Sequence, residues 1–327
     1  MAEKLLQGFL SFVNKMNIKV DRLIEVKRYL ILKRVVCMVL MLTASINGFA
    51  QQKDLLLQLQ AIASVHPATI GFAFLDLQNG KTFTINGNQH LPMQSVFKFH
   101  IALAILNQVD QGKLSLDQKI LIKKSDLLPD TWSPLRDKYP NGGVEIPLSE
   151  LLTDMIELSD NNGCDILFRL IGGPAQVNAY IHSLGIKKVN IAATEEGMHH
   201  DEKAQYSNWT TPVAACQLLN LFYQNKFLSK KSHDFLWMIM TETTRGSDKI
   251  KGWLPAHTPV AHKTGYSGTT DAGFTAASND IGVVTLPDGK HFAVAVFVTD
   301  TKEDNKVINS TIAELTKACW DYYNTDK

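Results

Sequence analysis

Apolar residues recur at two spacings along the chain, and each spacing predicts one kind of secondary structure. An apolar residue at every third or fourth position is typical of a helix with one buried face. This spacing predicts helices over residues 53–64, 95–109, 149–158, 175–184, 212–223, 229–240 and 306–323. Short alternating or continuous apolar runs, bounded by turn-forming residues, predict strands. Such runs occupy residues 69–77, 82–85, 257–262, 272–278, 282–286 and 292–299.

The predicted strands lie near both ends of the chain, with predicted helices between them. Short turn sequences at 78–81 and 287–289 link neighbouring strands, which favours antiparallel pairing because parallel strands need a long crossover. The pattern therefore predicts an α+β protein in which both ends of the chain build one antiparallel sheet, interrupted by a helical insert. The polar stretch 186–212 has no clear periodicity, and its length favours a functional loop.

The first fifty residues have a pattern of their own. Four basic residues, Lys27, Arg28, Lys33 and Arg34, precede an apolar run over 35–42, and small residues follow up to Ala50. This order predicts that residues 1–50 are a secretory signal peptide cleaved after Ala50. Residues 1–26 are long for its leading segment, which allows an N-terminal extension. The alternative is an uncleaved membrane anchor, but the run is well short of the ~20 residues that span a bilayer.

Composition narrows the expected partners. The 327 residues include 33 basic and 32 acidic side chains, so the net charge of +1 gives no reason to expect nucleic acid as a partner. After cleavage we expect no membrane association, and nothing calls for more than a monomer. Cys164, Cys216 and Cys319 would remain, which allows at most one internal disulfide; three small buried residues are the simpler interpretation.

The first candidate for chemistry is the tetrapeptide Ser95-Val96-Phe97-Lys98 at the start of a predicted helix. Positions i and i+3 share a helix face, so the Ser95 hydroxyl and the Lys98 amine can meet. A serine hydroxyl needs a neighbouring base to become a nucleophile, and the helix start offers partial positive charge to a developing oxyanion. A Ser-x-x-Lys match is expected about once per chain by chance, so this motif needs support from others.

The second candidate is Ser159-Asp160-Asn161, after an apolar helix. A turn of polar capping residues would explain it without function. In the functional interpretation, Ser159 passes a proton to a leaving nitrogen and Asn161 holds a substrate amide through its carboxamide.

The third candidate is Lys263-Thr264-Gly265, at the end of a predicted strand. An edge strand with a solvated lysine is the simplest alternative. In the functional interpretation, Lys263 attracts a substrate carboxylate and polarises Ser159. Gly265 permits close backbone approach, and the amides of Tyr266 and Ser95 form an oxyanion hole.

The three motifs each occur once, in this order and at plausible element boundaries. In this set the chain resembles the class A serine β-lactamases over residues 51–327. The resemblance implies an α/β sandwich domain from residues 51–88 and 250–327, with helices flanking the sheet. It also implies an all-helical domain from residues 89–249, with the active site between the two domains. The implied activity is hydrolysis of the β-lactam ring of penicillins and cephalosporins through a serine acyl-enzyme, without a cofactor. Such an enzyme is secreted to the periplasm and confers antibiotic resistance.

A glutamate distinguishes this class from its relatives. In class A β-lactamases a loop glutamate activates the water that hydrolyses the acyl-enzyme, and Glu195 matches that position by register. Solvated loop charge is the alternative for Glu195 and its neighbour Glu196. A DD-peptidase acting on cell-wall peptides lacks such a glutamate and stays acylated by penicillins. A β-lactam receptor that has lost hydrolysis is a further alternative.

Three further residues receive roles from the resemblance. His199 stands where the family usually has asparagine beside the hydrolytic water, and Lys249 stands where a basic residue helps to bind the substrate carboxylate. Trp132 is either the aromatic residue at the site entrance or a loop anchor. A metal interpretation of the sequence 199–202 is disfavoured because no further His or Cys cluster completes a site.

Several local departures from the family pattern are typical of a divergent branch of cephalosporinases and extended-spectrum enzymes. They are Gln94, His199 and the segments 205–210 and 278–282.

Overall fold

The computed structural model describes the backbone of residues 1–324, and their side chains except at 18, 20–24, 26, 29–32, 35–37 and 39–50. The chain divides into two compact units, Met1–Leu55 and Leu56–Lys327. The apolar run of the predicted signal peptide lies largely among the side chains outside this description, so the signal peptide stays a prediction. In the described part of the chain, no helix is both long enough and apolar enough to cross a membrane.

Ten strands, counted over the described residues, form three antiparallel sheets. They are β1 (Thr69–Asp76), β2 (Thr82–Ile85), β3 (Leu91–Pro92), β4 (Lys119–Ile122), β5 (Val144–Pro147), β6 (Val189–Asn190), β7 (Trp209–Thr210), β8 (Val260–Tyr266), β9 (Thr275–Thr285) and β10 (His291–Thr301).

Ten α-helices occupy most of the remaining described chain. They are α1 (Ala2–Ser64), α2 (Phe97–Asp110), α3 (Pro134–Lys138), α4 (Leu148–Glu157), α5 (Asn161–Leu170), α6 (Pro174–Ser183), α7 (Glu195–His200), α8 (Pro212–Tyr223), α9 (Lys230–Glu242) and α10 (Asn305–Asn324). Six of the seven predicted helices are confirmed with ends within two residues, and the seventh, 53–64, is the last part of α1. Short 3₁₀ helices span Gln94–Val96, Lys124–Asp126 and Glu202–Ser207.

The largest sheet has five strands in the order β2-β1-β10-β9-β8. Its strands come from residues 69–85 and 260–301, so the predicted α+β fold with one sheet built from both ends of the chain is confirmed. Helices α8 and α10 pack on this sheet, and β1, β9 and β10 are buried at almost every position, on both faces. The division into domains at residues 88/89 and 249/250 stays a prediction.

One strand prediction is wrong in an informative way. Residues 272–278 and 282–286 are predicted as two strands because the polar triplet Ser278-Asn279-Asp280 separates them. The structure has a single strand, β9, which runs through the triplet with all three residues buried. Each of the three side chains has a hydrogen-bond partner inside the protein: Ser278 Oγ accepts from Lys249 Nζ, Asn279 Nδ2 donates to Pro92 O at 2.8 Å, and Asp280 Oδ2 accepts from Ile250 N. A polar residue in a strand therefore does not mark a turn when the tertiary structure supplies its partner.

The predicted strand over 257–262 also begins too early. Thr258 belongs to a turn, in which its amide and hydroxyl both donate to Pro255 O, and β8 extends from Val260 to Tyr266. The Lys-Thr-Gly sequence therefore lies inside the edge strand of the sheet.

The helical part of the chain surrounds α2. This helix has ten consecutive buried residues, from Phe97 to Leu106, because α4, α5, α6 and α9 all pack against it. A helix buried on all sides carries few polar residues, so any charged side chain on α2 must find its partners within the protein. The three cysteines described, Cys164, Cys216 and Cys319, are free and buried, as the simpler interpretation predicts.

Candidate active site

The 3₁₀ helix Gln94–Val96 leads directly into α2 and carries Ser95. Ser95 is half-buried and lines a cavity of about 550 Å³. Gln94, just before it, has a left-handed backbone (φ 48°), which side chains other than glycine rarely adopt. The Gln94 side chain is buried and its Nε2 donates to Gln205 Oε1 at 2.6 Å. The serine thus occupies a constrained turn at the entrance to the central helix.

Lys98, one turn further along, is completely buried. Its Nζ donates to Ser159 O at 2.8 Å and to Asn161 Oδ1 at 2.5 Å, and it lies 3.5 Å from Ser159 Oγ. It also lies 2.9 Å from Glu195 Oε1, which forms an ion pair with it. The lysine therefore contacts Ser159 and Glu195, two of the other three residues predicted as catalytic, and it lies three residues after the third, Ser95.

The segment from Ser159 to Asn161 connects α4 to α5, a helix that apolar spacing does not predict. Asp160 caps α5: its Oδ1 accepts from Gly163 N at 2.8 Å, while Ser133 and Leu135 donate to the same carboxylate. This cap gives Ser159 a left-handed backbone (φ 60°) and directs the first residue of α5, Asn161, into the site. The segment is therefore a turn with a capping residue, although the helix that it caps is the following one, α5. The functional interpretation of this motif stays a prediction.

Glu195 begins the short helix α7 within the stretch 186–212. Its backbone amide donates to Asp165 Oδ1 at 2.8 Å, and the amide of Glu196 donates to Asp165 Oδ2 at 2.7 Å. Burial raises the pKa of Asp165 to about 6. Asn208, fully buried, accepts from Ala192 N and Ala193 N at 2.7 and 2.9 Å. Two buried polar side chains thus hold the glutamate segment in place.

Strand β8 forms the opposite wall. Lys263 is buried, and its Nζ donates to Ser159 Oγ at 3.0 Å. Burial lowers its pKa well below the ordinary lysine value, and the nearby charge of Lys98 lowers the pKa further. A Cβ atom at Gly265 would lie 2.5 Å from Met93 O and 3.3 Å from Ser95 N. Only glycine therefore lets β8 approach the backbone of the nucleophile this closely.

Lys249 lies in the turn that follows α9 and is also buried. Its Nζ donates to Ser278 Oγ at 2.9 Å and to the carbonyl oxygens of Asn279 and Gly265 at 3.2 and 3.3 Å. Burial lowers the pKa of Lys249 to about 8, although Asp280 and Asp248 act to raise it. This lysine lines the same cavity as Ser95.

Trp132 and Arg245 meet on the lining of that cavity. The Arg245 guanidinium lies 4.2 Å from the centroid of the Trp132 ring, a cation–π contact. Trp132 is half exposed and its Nε1 donates to Leu158 O at 2.9 Å, so it both anchors its loop and lines the cavity.

A second cavity, of about 470 Å³, shares Gln94, Asn161 and Glu195 with the first. It extends between the segment 198–206 and the segment 266–276. His199 lines it and is exposed, with its ring centroid 5.8 Å from that of His200. Among the described residues, no group of three His, Cys, Asp or Glu side chains could hold a metal ion.

The structure brings the predicted site residues to two adjoining cavities. Those lining the cavities are Ser95, Trp132, Ser159, Asn161, Glu195, His199, Lys249, Thr264 and Tyr266. Lys98 and Lys263 are buried behind the lining and contact one of its residues, Ser159, through their amines, and Gly265 contributes close backbone approach. Sequence reasoning missed Asp165, Asn208 and Asp280, which support the site from buried positions. Asn208 and Asp280 fall within the segments 205–210 and 278–282 noted in the sequence, where neither received a role of its own, and Asp165 follows Asn161 by four residues on one helix.

A half-buried serine, a buried lysine beside it, and a second serine between two lysines define a class of protein. It is a hydrolase with an α+β fold that works through an acyl-enzyme on the serine.

Comparison with known proteins identifies the family. Residues 55–323 match the model of the β-lactamase enzyme family. The chain is 44% identical to β-lactamase VEB-1 of Pseudomonas aeruginosa over 296 residues, covering 90% of this chain and 98% of that protein. It is 41% identical to the extended-spectrum β-lactamase PER-1 of the same organism, covering 89% and 96%. A crystal structure of a class A β-lactamase from Bacteroides cellulosilyticus superposes with a TM-score of 0.81 at 42% identity, covering 84% and 99%.

The chain therefore belongs to the β-lactamase enzyme family, and within it to class A. The resemblance drawn from the three motifs is confirmed, and so are the prediction of a serine β-lactamase and the predicted fold.

Proposed function

We propose that this chain hydrolyses the β-lactam ring of penicillins and cephalosporins through an acyl-enzyme on Ser95, and so confers resistance to these antibiotics. The observation that carries the proposal is the position of the Lys98 amine. It contacts Ser159, Asn161 and Glu195 at once, next to the cavity that Ser95 lines. One buried cation therefore links the groups needed for ring opening to the group needed for hydrolysis.

Acylation begins when Ser95 Oγ attacks the lactam carbonyl carbon. Lys98, or Glu195 through a water molecule, takes the hydroxyl proton. The amides of Ser95 and Tyr266 stabilise the oxyanion, and Gly265 allows β8 to lie close enough to the 3₁₀ helix of Ser95 for this. The carbon–nitrogen bond then breaks, and Ser159, polarised by the amine of Lys263, gives its proton to the ring nitrogen.

Deacylation uses the glutamate. Glu195 takes a proton from a water molecule whose oxygen attacks the ester carbonyl carbon. The bond from this carbon to Ser95 Oγ then breaks, and the proton passes from Glu195 to Oγ to restore the hydroxyl. The hydrogen bonds from the amides of Glu195 and Glu196 to Asp165 support this role, because they fix the start of α7. His199 lines the cavity on the same side and contributes to the surroundings of the water.

Charge and shape support the choice of substrate. Every penicillin and cephalosporin carries a carboxylate next to the ring, and Lys263, Thr264 and Lys249 form a cationic wall suited to it. Asn161 holds the side-chain amide, Trp132 covers the ring, and the second cavity receives the acyl substituent. The relative PER-1 is named an extended-spectrum enzyme, and the size of the second cavity supports a similar range of large substituents here.

The cellular setting completes the proposal. Residues 1–50 act as a signal peptide, and the mature protein works in the periplasm as a monomer. The basic residues before the apolar run 35–42 support secretion. Its targets act outside the cytoplasm, on the enzymes that build the cell wall. The sheet and the helices would form two domains with the site between them, divided near residues 88 and 249.

The test is intact-protein mass, followed in time after the mature protein is mixed with a chromogenic cephalosporin. We expect rapid loss of substrate with at most a brief adduct, and no adduct on Ser95→Ala. Glu195→Gln should accumulate the adduct, because its hydrolysis slows by about 10²–10⁴-fold. A lasting adduct on the unmodified protein would contradict hydrolysis and favour a DD-peptidase or a receptor. If the unmodified protein shows no adduct and no loss of substrate, Ser95 is excluded as the nucleophile.

A further inference from the structure

A buried aspartate on β9 lies directly behind the cationic wall. Asp280 is fully buried, and both of its carboxylate oxygens lie 3.0 Å from His262 Nδ1, which is also fully buried. The backbone amide of Ile250 donates to Asp280 Oδ2 at 3.2 Å. None of these three residues belongs to the motifs that identify the enzyme.

These contacts connect the two segments that present the substrate-binding lysines. His262 immediately precedes Lys263 on β8, and Ile250 immediately follows Lys249 in the turn after α9. One carboxylate therefore contacts the neighbour of each lysine. A displacement of Asp280 would be transmitted to both amines through a single peptide unit on each side.

The pairing of β8 with β9 is consistent with the contact between Asp280 and His262. His262 stands opposite Gly282 in the pairing of β8 with β9, and Asp280 stands opposite Thr264. A Cβ atom at residue 282 would lie 2.7 Å from His262 Cβ and 2.8 Å from Ala261 O. The glycine therefore lets β9 approach the backbone of β8 at His262, since any larger residue would push β8 away from β9.

Asp280 also balances positive charge at this wall. The pKa values of Lys249, Lys251 and Lys263 are all lowered by burial, and Asp280 acts to raise each of them. The other charged groups acting on Lys249 and Lys263 come from neighbouring elements: Asp248 for the first, and Lys98, Glu195 and Lys249 for the second. The Tyr266 ring centroid lies 6.0 Å from Lys249 Nζ.

We propose that Asp280 and His262 form a positioning pair that fixes Lys249 and Lys263 in place, and holds them charged, to receive the substrate carboxylate. The proposal rests on the function proposed above. Neither residue touches substrate; each acts through its chain neighbour and, for Asp280, through its charge. The alternative is that the pair only stabilises the sheet, in which case substrate binding would not depend on it.

The test uses two forms of one chromogenic cephalosporin, the free acid and its methyl ester, with the full-length mature protein. Asp280→Asn removes the charge but keeps the size and can still accept from Ile250 N. We expect KM for the acid to rise about tenfold, the effect of losing one hydrogen bond between a lysine and the substrate carboxylate. KM for the ester should stay unchanged, because the ester has no such charge. Because Asp280 acts to raise the pKa of both lysines, they should lose their charge at a lower pH in the variant. KM for the acid should therefore begin to rise at a lower pH than in the unmodified protein.

Asp76 offers a matched control. It is a buried aspartate of the same sheet that accepts from Gln78 N and Asn79 N, and two strands separate β1 from β8. Asp76→Asn should lower the melting temperature without changing the ratio of the acid and ester KM values. The proposal is overturned if Asp280→Asn behaves like Asp76→Asn, with lower stability and an unchanged ratio.

A second variant covers the case in which Asp280→Asn does not fold. His262→Gln keeps the charge of Asp280 but weakens its contact with β8, and we expect a smaller loss of preference for the acid. An unchanged preference in this variant would overturn the proposal as well. If the unmodified protein hydrolyses neither form, the function proposed above fails; if it prefers the acid and both variants keep that preference, only the positioning role fails.

Discussion

The two walls of the active site bury lysines in opposite electrostatic settings. On the helical wall, which includes α2 and α7, Lys98 lies 2.9 Å from the carboxylate of Glu195. On the sheet wall, the described residues that accept hydrogen bonds from Lys249 and Lys263 do so through neutral hydroxyl and carbonyl oxygens. Asp280 reaches them from behind through chain neighbours.

The difference indicates that the lysines of the two walls have different roles. A lysine paired with a carboxylate can exchange a proton without changing the charge of the site, which suits acid–base catalysis. Buried lysines without a contacting carboxylate leave net positive charge facing the cavity, which suits an anionic substrate. Changes to Lys98 should therefore act on kcat, and changes to Lys249, which contacts no residue assigned to bond making or breaking, should act on KM.

The largest expected effect comes from removing the helical lysine. Lys98→Met deletes the amine that contacts Ser159, Asn161 and Glu195, so kcat for a chromogenic cephalosporin should fall by about 10²–10⁴-fold. Steady-state kinetics measures this, with Lys251→Met, a partly buried lysine that donates to Thr241 O and Thr243 O, as the control. A rise in KM at constant kcat would contradict the proposed difference in roles.

Removing the lysine of the sheet wall should have the opposite signature. Lys249→Met deletes a charge at the cavity but no group in contact with Ser95 or Ser159. We expect KM to rise about 10–100-fold, the range for a hydrogen bond to a charged group, with little change in kcat. The same kinetics measures both values. If kcat falls as much as kcat/KM, Lys249 acts in the transition state instead.

The pH dependence of KM and of stability provides a second test of the role of Lys249. Lys249, with its pKa lowered to about 8, is charged below pH 8 and loses its charge as the pH rises through that value. KM should therefore increase above pH 8, by at most about tenfold per pH unit. Stability should change the other way: between pH 8 and 10.5 the unfolded chain binds the proton and the folded protein does not, so the free energy of unfolding rises. Lys249→Met should abolish both trends, and their persistence would show that another group causes them.

The smallest expected effect concerns the contact between the two sides of the cavity. Trp132→Ala removes the ring beneath Arg245 and should lower the free energy of unfolding by about 0.5–1 kcal/mol, the value of an exposed cation–π contact, in addition to the packing lost. Urea unfolding measures it. Trp132→Phe keeps a ring but loses the hydrogen bond to Leu158 O, so equal losses in the two variants would assign the effect to that bond.

Much of the fold could be predicted because its signals are local. Apolar spacing predicted α8 to the residue, and the turn at 78–81 predicted the pairing of β1 with β2. The helix α5 was missed because it begins at a polar triplet and its apolar residues alternate with buried polar ones, Asn162 and Asp165. Strand β9 was divided in two because three polar residues interrupt it, and only the tertiary structure supplies their partners.

The candidate site divides in the same way. The three motifs and Glu195 could be found from the sequence because each is a short pattern at an element boundary. Asn208 and Asp280 could not, because their partners lie far along the chain: Asn208 contacts residues 15 and 16 positions away, and Asp280 contacts His262 18 positions away.

The sequence by itself determined which residues are candidates for the chemistry and the order in which most elements follow one another, because helix faces, turns and motifs depend on neighbours within a few positions. Only the tertiary structure decided how the charges are balanced. Three buried lysines come from α2, from the turn after α9 and from β8, and the carboxylates that face them come from α7 and β9. The energy of a buried charge depends on which groups surround it, and that is set by segments that meet only when the whole chain has folded.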